Sequence, residues 1–452
     1  MKNKISILII ACMSSFITPF MGSSINVALP IMGKELSISA SLLAWIATSY
    51  LLSVSIFLLP SGKIADIYGR RKVFLSGLII YSFSSFLLSL SSNPYVIIFL
   101  RVIQGIGAAM IFGMGIAILT EVFPPYERGK AFGINSASVY TGLSLGPFLG
   151  GILTKEFGWR SIFIFNSIFS FITAIYLILS FKMEFKNSER EKFDIKGAVI
   201  YGITLLFLIY GLSTLPSKKG IIFFLLGILG IILFVNFEIK NDYPILNINL
   251  LRKNLVFSFS NLATFINYAS TAGVTFILSL YLQYIKGINP RETGIILLSQ
   301  PAFMALVSPF AGRISDKIEP AKISSFGMFL TFLSLLIFTF LENNTKILLI
   351  ILNLILLGLG LGIFASPNTN AVMSSVDKKF YGVSAGMLAT MRVLGQMFSM
   401  ALVTLLLTFY IGGKKIVQEN FYLFLKSSKV SFLVFSILCF IGIFVSLKRR
   451  KK

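Results

Sequence analysis

Two arginines lie inside long apolar runs of the sequence, where a positive charge needs something to face. Arg101 lies within the run 94–120 and Arg392 within the run 383–410. A cation in a membrane helix is costly unless it meets a partner or water. We therefore expect Arg101, with Gln104 one turn further on, to have a buried role, and Arg392 to lie in the same central region. Snorkelling of Arg101 to the near end of its run is the ordinary alternative.

An aspartate flanked by glycines and arginines could form a reversible contact. The segment SGKIADIYGRRK places Asp66 between Gly62 and Gly69, with Arg70 and Arg71 after it. The carboxylate can pair with either arginine or accept hydrogen bonds from the N-terminus of a helix, which contributes about 0.3–1 kcal/mol and up to ~2 kcal/mol when partly buried. That magnitude suits a latch that must open and close. An ordinary positively charged loop is the alternative.

The same pattern occurs again in the second half of the chain. The segment AGRISDKIEPAK also reads small, Gly, basic, Ile, small, Asp, and its Asp316 lies 250 positions after Asp66. This repeat predicts two equivalent halves, each with such a loop between its second and third helices. Two equivalent halves with a binding site at their interface are the layout of secondary transporters.

Glycines at a spacing of four mark a helix that packs closely against another. The segment GLSLGPFLGG carries Gly142, Gly146 and Gly150 on one helix face, together with Pro147 and Gly151. Small residues at this spacing let two helices approach closely, and a proline bends a helix. We expect a mechanical role for this segment and no chemistry.

The other polar residues inside the apolar runs are uncharged. The segment FMGSSINVALP in the first run has two serines and an asparagine, and none of the 17 Asp and Glu residues lies near the middle of a run. Proton coupling usually needs a carboxylate whose pKa is shifted by burial or by a cation. The pathway should therefore be neutral to positive. Its candidate residues are Ser23, Ser24, Asn26, Arg101, Gln104, Asn267, Tyr268, Gln300, Asn353, Arg392 and Gln396.

The elements that position these residues are predicted to be membrane-spanning helices. The chain of 452 residues is 56% hydrophobic and 13% charged, with a mean hydropathy of +0.87, which places it in a bilayer. About 20 apolar residues are enough to cross a bilayer as a helix. The sequence has fourteen such runs, which predicts an all-α integral membrane protein. They cover residues 5–30, 42–61, 73–91, 94–120, 131–153, 160–181, 196–214, 220–237, 255–280, 293–311, 322–341, 346–368, 383–410 and 430–447.

The distribution of basic residues predicts the orientation of these helices. With the N-terminus inside the cell, the cytoplasmic segments carry 26 Lys and Arg residues and the outer segments 12, and Arg101 and Arg392 complete the total of 40. Under the positive-inside rule this bias places both termini in the cytoplasm. The same clustering explains the net charge of +23, so we expect no nucleic-acid binding. The chain has no histidine, which excludes histidine proton relays and histidine metal sites.

Together these segments resemble the signature motifs of the major facilitator superfamily. The Asp66 loop is similar to G-x-L-A-D-x-x-G-[RK]-[RK], the Arg101 segment to R-x-x-Q-G-x-G-A, and the glycine segment to the antiporter-type G-x-x-x-G-P-x-x-G-G. Fourteen spans and the segments NVALP, GWRSIFIFN and YLQYIKGINPRETG are similar to the fourteen-span drug:proton antiporter branch, a branch of multidrug efflux proteins. Members of that branch commonly have an acid where this chain has Met21.

The resemblance implies a major-facilitator fold of two six-helix bundles with alternating access, and two extra helices at the periphery. We expect an N-terminal six-helix bundle at residues 1–181, a two-helix insertion with cytoplasmic flanking loops at 182–254, and a C-terminal six-helix bundle with a basic tail at 255–452. By the same resemblance, Asp66, Arg70 and Arg71 would hold the bundles together on the cytoplasmic side in the outward-facing state. The glycine segment would form a hinge and seal typical of exporters.

We therefore expect a secondary active transporter of the plasma membrane that exports amphipathic small molecules, neutral or anionic, with protons as a candidate coupling ion. An importer, or a flippase for a lipid or glycolipid, is the alternative, and its support is the charge-poor, phenylalanine-rich lining. A membrane enzyme or sensor is a second alternative, which the lack of clustered Asp, Glu and His disfavours. We expect a monomer in the lipid bilayer with no cofactor and no metal.

Overall fold

The protein is built from long helices that run back and forth. A computed structural model describes residues 2–36, 40–181, 183–184, 192–215, 217–246, 248–411 and 421–449. These residues form fourteen helices of at least 19 residues and one of six, α9, in agreement with the predicted number of spans. The helices are α1 (Lys2–Glu35), α2 (Ala40–Tyr68), α3 (Arg70–Leu90), α4 (Pro94–Val122), α5 (Pro125–Phe157), α6 (Arg160–Ser180), α7 (Ile195–Thr214), α8 (Lys218–Lys240), α9 (Ile248–Lys253), α10 (Leu255–Leu280), α11 (Pro290–Ser315), α12 (Pro320–Phe338), α13 (Ile347–Ser374), α14 (Tyr381–Ile411) and α15 (Phe421–Leu447).

One of the long helices differs from the others in composition. In the described part of the chain, thirteen helices are long and apolar enough to cross a membrane, and α5 is not among them. Its 33 residues are rich in glycine and serine. Gly142, Gly146 and Gly150 are buried on one face of α5, where α1 packs against them. The polar backbone and small side chains of α5 are therefore covered by a neighbouring helix.

The first six helices and the last six pack in the same pattern. In the first set, α1 contacts α5, α2 contacts α4, and α3 contacts α4 and α6. In the second set, α10 contacts α14, α11 contacts α13, and α12 contacts α13 and α15. We call α1–α6 the N-terminal set and α10–α15 the C-terminal set. This internal symmetry agrees with the two equivalent halves that the repeated aspartate segment predicts.

The two sets meet along two symmetric helix pairs, and a third helix covers one of them. These pairs are α2 with α14 and α5 with α11. Helix α7 lies against α2 and α14, and the hydroxyl of Tyr201 on α7 is 3.4 Å from the carbonyl oxygen of Ser55 and 3.3 Å from Oγ1 of Thr390. Helix α8 packs mainly on α7 and is largely exposed. We call the contact between the two sets the junction. Helix α8 lies at the periphery, as expected for the extra helices, whereas α7 lies beside the junction.

The start of α1 and the end of α15 lie at the same end of the bundle. Lys4 at the start of α1 pairs with Glu127 in the first turn of α5, at 2.7 Å. Arg449, after α15, is 2% exposed and donates to the hydroxyl of Ser260 near the start of α10, at 2.9 Å. Burial lowers the pKa of Arg449 to about 9. We call this end of the bundle, where α2 and α11 also finish, the terminal end.

Candidate functional site

Asp66 lies near the end of α2 and joins it to the start of α14. The residue is 2% exposed, and its carboxylate accepts hydrogen bonds from the backbone N–H groups of Gly382 at 2.9 Å and Val383 at 3.0 Å. Arg70 donates to the same carboxylate from Nε at 3.0 Å and Nη2 at 2.8 Å. A carboxylate that meets both a helix N-terminus and a guanidinium makes strong, charge-assisted hydrogen bonds. Asp66 thus has both kinds of partner that its sequence context predicts.

Arg70 extends this contact to two further charged residues. Its Nη2 donates to the carbonyl oxygen of Lys378, just before α14, at 2.5 Å, and its Nη1 lies 3.1 Å from Oε2 of Glu121 at the end of α4. The ammonium of Lys378 is 3.3 Å from Oε1 of Glu121. Four charged side chains therefore bridge the N-terminal and C-terminal sets at the terminal end. We call Asp66, Arg70, Glu121 and Lys378 the Asp66 latch.

Asp316 makes the corresponding contact on the other side of the junction. It follows α11 directly and accepts hydrogen bonds from the backbone N–H groups of Gly129 at 2.6 Å and Lys130 at 2.9 Å, near the start of α5. We call this contact the Asp316 latch. Burial raises the pKa of Asp316, against the lowering effect of the two N–H donors.

Direct backbone contact accompanies each latch. A Cβ atom on Gly382 would lie 2.5 Å from the carbonyl oxygen of Gly62, so α2 and α14 touch there through their main chains. Gly129 of α5 and Gly312 of α11 meet in the same way. Glycine is needed at these four positions because any side chain would separate the helices. The two latches are therefore related by the same symmetry as the two helix sets.

Arg71 is predicted to join the two bundles, but its contacts lie within the first half of the chain. Its Nε donates to the carbonyl oxygen of Phe181 at 2.5 Å, and its backbone N–H donates to Glu184 at 2.9 Å. Both partners belong to the segment that follows α6, within the first half of the chain. The turn between α2 and α3 has Gly69 at φ 115°, and it directs Arg71 towards α6 while Arg70 faces the latch.

A methyl group at Gly62 is expected to weaken the junction at the Asp66 latch. The new Cβ would lie 2.8 Å from the carbonyl carbon of Gly382 and 3.1 Å from Cα of Val383, and overpacking of this kind costs about 1–3 kcal/mol. We expect Gly62→Ala to lengthen the distance between spin labels on the exposed residues Lys72 and Lys379, measured by pulsed electron paramagnetic resonance. Gly22→Ala is the control, since a Cβ there meets no atom within 4 Å. Identical distance distributions for both variants would contradict the prediction.

Arg101 lies inside the N-terminal set and is only 1% exposed. Its Nε donates to the carbonyl oxygen of Ile46 at 2.9 Å, its Nη1 donates to Gln104 at 2.5 Å, and its guanidinium carbon is 4.3 Å from the centre of the Tyr50 ring. Gln104 in turn donates to the hydroxyl of Ser85 at 2.7 Å. Arg101 is thus buried and does not snorkel. It joins α2, α3 and α4, and a position on the substrate pathway remains a prediction.

The polar residues of the first span pack mainly against α5. Ser23 donates to the carbonyl oxygen of Pro19 at 2.9 Å, and Ser24 is fully buried, with its Cβ 2.6 Å from where a Cβ on Gly150 would lie. The prediction that Ser23 and Ser24 line the pathway is therefore not supported by their contacts, because they fill the space that the glycines of α5 leave. Asn26 is exposed and differs from both.

In the middle of the C-terminal set, the structure brings Arg392 and Tyr268 together. The guanidinium carbon of Arg392 on α14 is 5.9 Å from the centre of the Tyr268 ring on α10, and Nη2 donates to Oγ1 of Thr369 on α13 at 3.1 Å. The side chain of Tyr140 on α5 lies close enough to Tyr268 and to Arg392 for electrostatic interactions. This cluster therefore includes a residue from the N-terminal set.

Three other predicted pathway residues lie apart from this cluster in their contacts. Asn267 is fully buried, and both of its amide atoms lack a hydrogen-bond partner. Gln300 is half-buried on α11. The side-chain amide of Asn353 donates to the carbonyl oxygen of Ser334 on α12 at 3.0 Å. The hydroxyl of Ser334 donates to the backbone carbonyl oxygen of Asn353, also at 3.0 Å. Asn353 therefore joins α12 to α13, because its helix face points into the C-terminal set and away from the junction.

The two intramembrane arginines have no carboxylate partner among the described residues. Among the described residues, no Asp or Glu lies within ion-pair distance of Arg101 or Arg392. Glu35, at the end opposite the terminal end, pairs with Arg160 and accepts a hydrogen bond of 2.7 Å from the indole of Trp159. The hydrogen bond from Arg160 lowers the pKa of Glu35, so this carboxylate stays ionised near neutral pH.

Several residues of the junction are not among the predicted ones. They include Tyr140, Thr369 and the glycines at the start of α5 and α14. A second repeat could have revealed the glycines. Gly129 and Gly133 have the same spacing as Gly382 and Gly386, and each pair begins the fifth helix of its set. Tyr140 and Thr369 have no such signal, because isolated hydroxyls in apolar runs are common.

Comparison with known proteins agrees with this arrangement of helices. The profile of the Major Facilitator Superfamily matches residues 11–239 and 261–452. The riboflavin transporter RibZ of Clostridioides difficile (strain 630) is 31% identical, and the match covers 99% of this chain and 97% of RibZ. The multidrug resistance protein Stp of Mycobacterium tuberculosis (strain CDC 1551 / Oshkosh) is 28% identical, over 83% of this chain and 71% of Stp.

A solved structure shows the same fold at low sequence identity. The proton:xylose symporter XylE, bound to 6-bromo-6-deoxy-D-glucose, superposes with a TM-score of 0.67 over 99% of this chain and 95% of XylE, at 13% identity. The arrangement of the two helix sets agrees with the family that the profile match indicates. The chain therefore belongs to the Major Facilitator Superfamily, in the multidrug efflux branch that its motifs resemble.

Proposed function

We propose that this membrane transporter is a secondary active exporter that works by alternating access in the plasma membrane, with both termini in the cytoplasm. The observation that carries the proposal is the pair of latches at the terminal end. Each holds a helix of one set against a helix of the other through one carboxylate and two backbone N–H groups. Release of both would free the sets to separate there. In the proposed orientation, the latched structure is the outward-facing state.

The moving bodies in this proposal are the two bundles predicted from the sequence. Residues 1–181 and 255–452 would rock against each other, and residues 182–254 would follow as an insertion. Export is supported by the relative Stp, whose name is that of a multidrug resistance protein. Neutral or anionic amphipathic substrates are supported by Arg101 and Arg392, which lie in the spans without a carboxylate partner among the described residues. We propose a monomer, with protons as the candidate coupling ion.

A substrate screen in inverted membrane vesicles tests this function. In such vesicles an exporter accumulates its substrate in the lumen, so we expect uptake of neutral and anionic amphipaths by vesicles that contain the protein. Each compound is measured with and without an imposed pH gradient, and vesicles without the protein are the control. Accumulation that depends on the gradient would support proton coupling. Strong transport of dicationic dyes with no effect on neutral or anionic compounds would contradict the proposed substrate class.

A second candidate substrate is riboflavin. The match to the riboflavin transporter RibZ covers nearly the whole of both chains, which favours a flavin among the molecules that this protein carries. Growth of a riboflavin auxotroph on limiting riboflavin, with and without the protein, tests import. Accumulation of radiolabelled riboflavin in inverted vesicles tests export. If neither assay responds, riboflavin is not a substrate.

A further inference from the structure

Arg392 differs from the buried arginines in how its charge is compensated. Arg70 pairs with Asp66 and Glu121, and Arg101 is enclosed by two acceptors and an aromatic ring. The hydrogen bond from Arg392 goes to one neutral hydroxyl, that of Thr369, and its buried Nε has no partner. The residue is only partly buried. Arg392 therefore retains donor capacity, and a ligand can reach part of the side chain.

The hydroxyl of Thr369 positions Arg392 but has no free proton to donate to an anion. Thr369 donates its proton to the carbonyl oxygen of Ala365 at 2.9 Å and accepts from Arg392 at 3.1 Å. This chain of two hydrogen bonds ties the guanidinium to α13. The face of the Tyr268 ring lies 5.9 Å from the guanidinium carbon and supports it from α10. Thr369 and Tyr268 are thus positioning residues for the guanidinium fork.

The N-terminal set reaches the same point through Tyr140. This residue is 3% exposed on α5, and its side chain lies close enough to Tyr268 for an electrostatic interaction. Tyr140 is also close enough to Arg392 for an electrostatic interaction. A ligand at Arg392 would therefore lie where both helix sets converge, between the terminal end and the opposite end of the bundle.

An uncompensated guanidinium in the membrane is unfavourable, and an anion that binds to it relieves this cost. The planar fork of an arginine matches the two oxygens of a carboxylate. We propose that Arg392 binds the carboxylate of an amphipathic organic acid during transport, with the apolar body of the substrate on the aromatic side of the cluster. This inference rests on the proposed transport function and names the part of the substrate that the protein recognises.

Binding of a matched pair of probes to the purified full-length protein tests the site. The probes are 1-pyrenebutyrate, which has a carboxylate, and 1-pyrenebutanol, which has the same aromatic body and no charge. We expect Arg392→Gln to weaken binding of 1-pyrenebutyrate roughly 10- to 100-fold, as for the loss of hydrogen bonds to a charged group. Binding of 1-pyrenebutanol should change less than about twofold, since it has no group for the guanidinium to pair with. Lys346→Gln, which removes an exposed cation from the opposite end, is the control.

Arg392→Lys keeps the charge and loses the fork, so its affinity for 1-pyrenebutyrate should lie between those of the wild type and Arg392→Gln. Equal weakening of both probes in both variants, or no weakening at all, would overturn the proposal. The thermal unfolding midpoint of each variant separates loss of the fold from loss of the site. Selective binding of 1-pyrenebutyrate without any export in vesicles would retain this site and reject the proposed exporter. Export that does not depend on Arg392 would support the proposed exporter and reject the carboxylate site at Arg392.

Discussion

The Asp66→Asn variant is expected to lose most of its transport activity and to populate a state that is open at the terminal end. The substitution keeps the shape of the side chain but removes its charge. Asparagine cannot pair with Arg70 or compensate the positive N-terminus of α14. Loss of charge from hydrogen bonds of this kind costs about 1.5–3 kcal/mol, which shifts the equilibrium between latched and open states roughly 10- to 100-fold.

The matched variant Asp316→Asn is expected to have a smaller effect. Asp316 accepts two backbone N–H groups as Asp66 does, but it is less deeply buried and no arginine pairs with it among the described ion pairs. Since the two latches share no residue, the double variant should show the sum of the two free-energy changes. The distance between spin labels on Lys72 and Lys379, together with the transport rate in vesicles, measures both effects. A larger effect of Asp316→Asn would contradict this ranking.

Replacement of Arg101 by alanine is expected to abolish transport and to lower the stability of the protein. The guanidinium connects α2 and α4 through the carbonyl of Ile46 and through Gln104, and it stacks on Tyr50. Its removal leaves a cavity and unpaired polar groups in the N-terminal set. Changes that break a buried polar network of this kind cost about 3–5 kcal/mol.

Thermal unfolding in detergent and transport in vesicles measure this effect separately. Arg101→Lys keeps a positive charge but cannot donate to both acceptors in the same geometry, so its midpoint should lie between those of the wild type and Arg101→Ala. Arg291→Ala, at an exposed arginine near the start of α11, is the control and should match the wild type. A wild-type transport rate and midpoint for Arg101→Ala would leave its buried role without support.

The features predicted correctly from the sequence are those that follow from local composition or from a single charged residue in a bilayer. Long apolar runs must be helices that span the membrane, since all backbone groups need internal partners. Arg101 had to find partners, and Asp66 beside Arg70 had to form a charged contact. The repeat at Asp316 identified the second latch because the same short pattern occurs in both halves.

Other parts of the candidate site could not be predicted because they depend on which helix faces which. Ser23 and Ser24 are polar residues in an apolar run, which is equally consistent with a pathway and with a tight helix contact, and the glycines of α5 decide for the contact. Arg71 directly follows Arg70 in sequence, but successive residues of a helix point about 100° apart. Tyr140 and Arg392 are distant in sequence and come close only because α5 packs against helices of the C-terminal set.

The composition of α5 has a consequence for how the protein enters the membrane during synthesis. A helix that is not apolar enough to partition into lipid alone must be accommodated by helices that are already there. The chain order provides this, because α1 is made first and carries the surface on which the glycine face of α5 packs. Substitutions on that surface of α1 would therefore act before any transport cycle begins, by leaving a later segment on the wrong side of the bilayer.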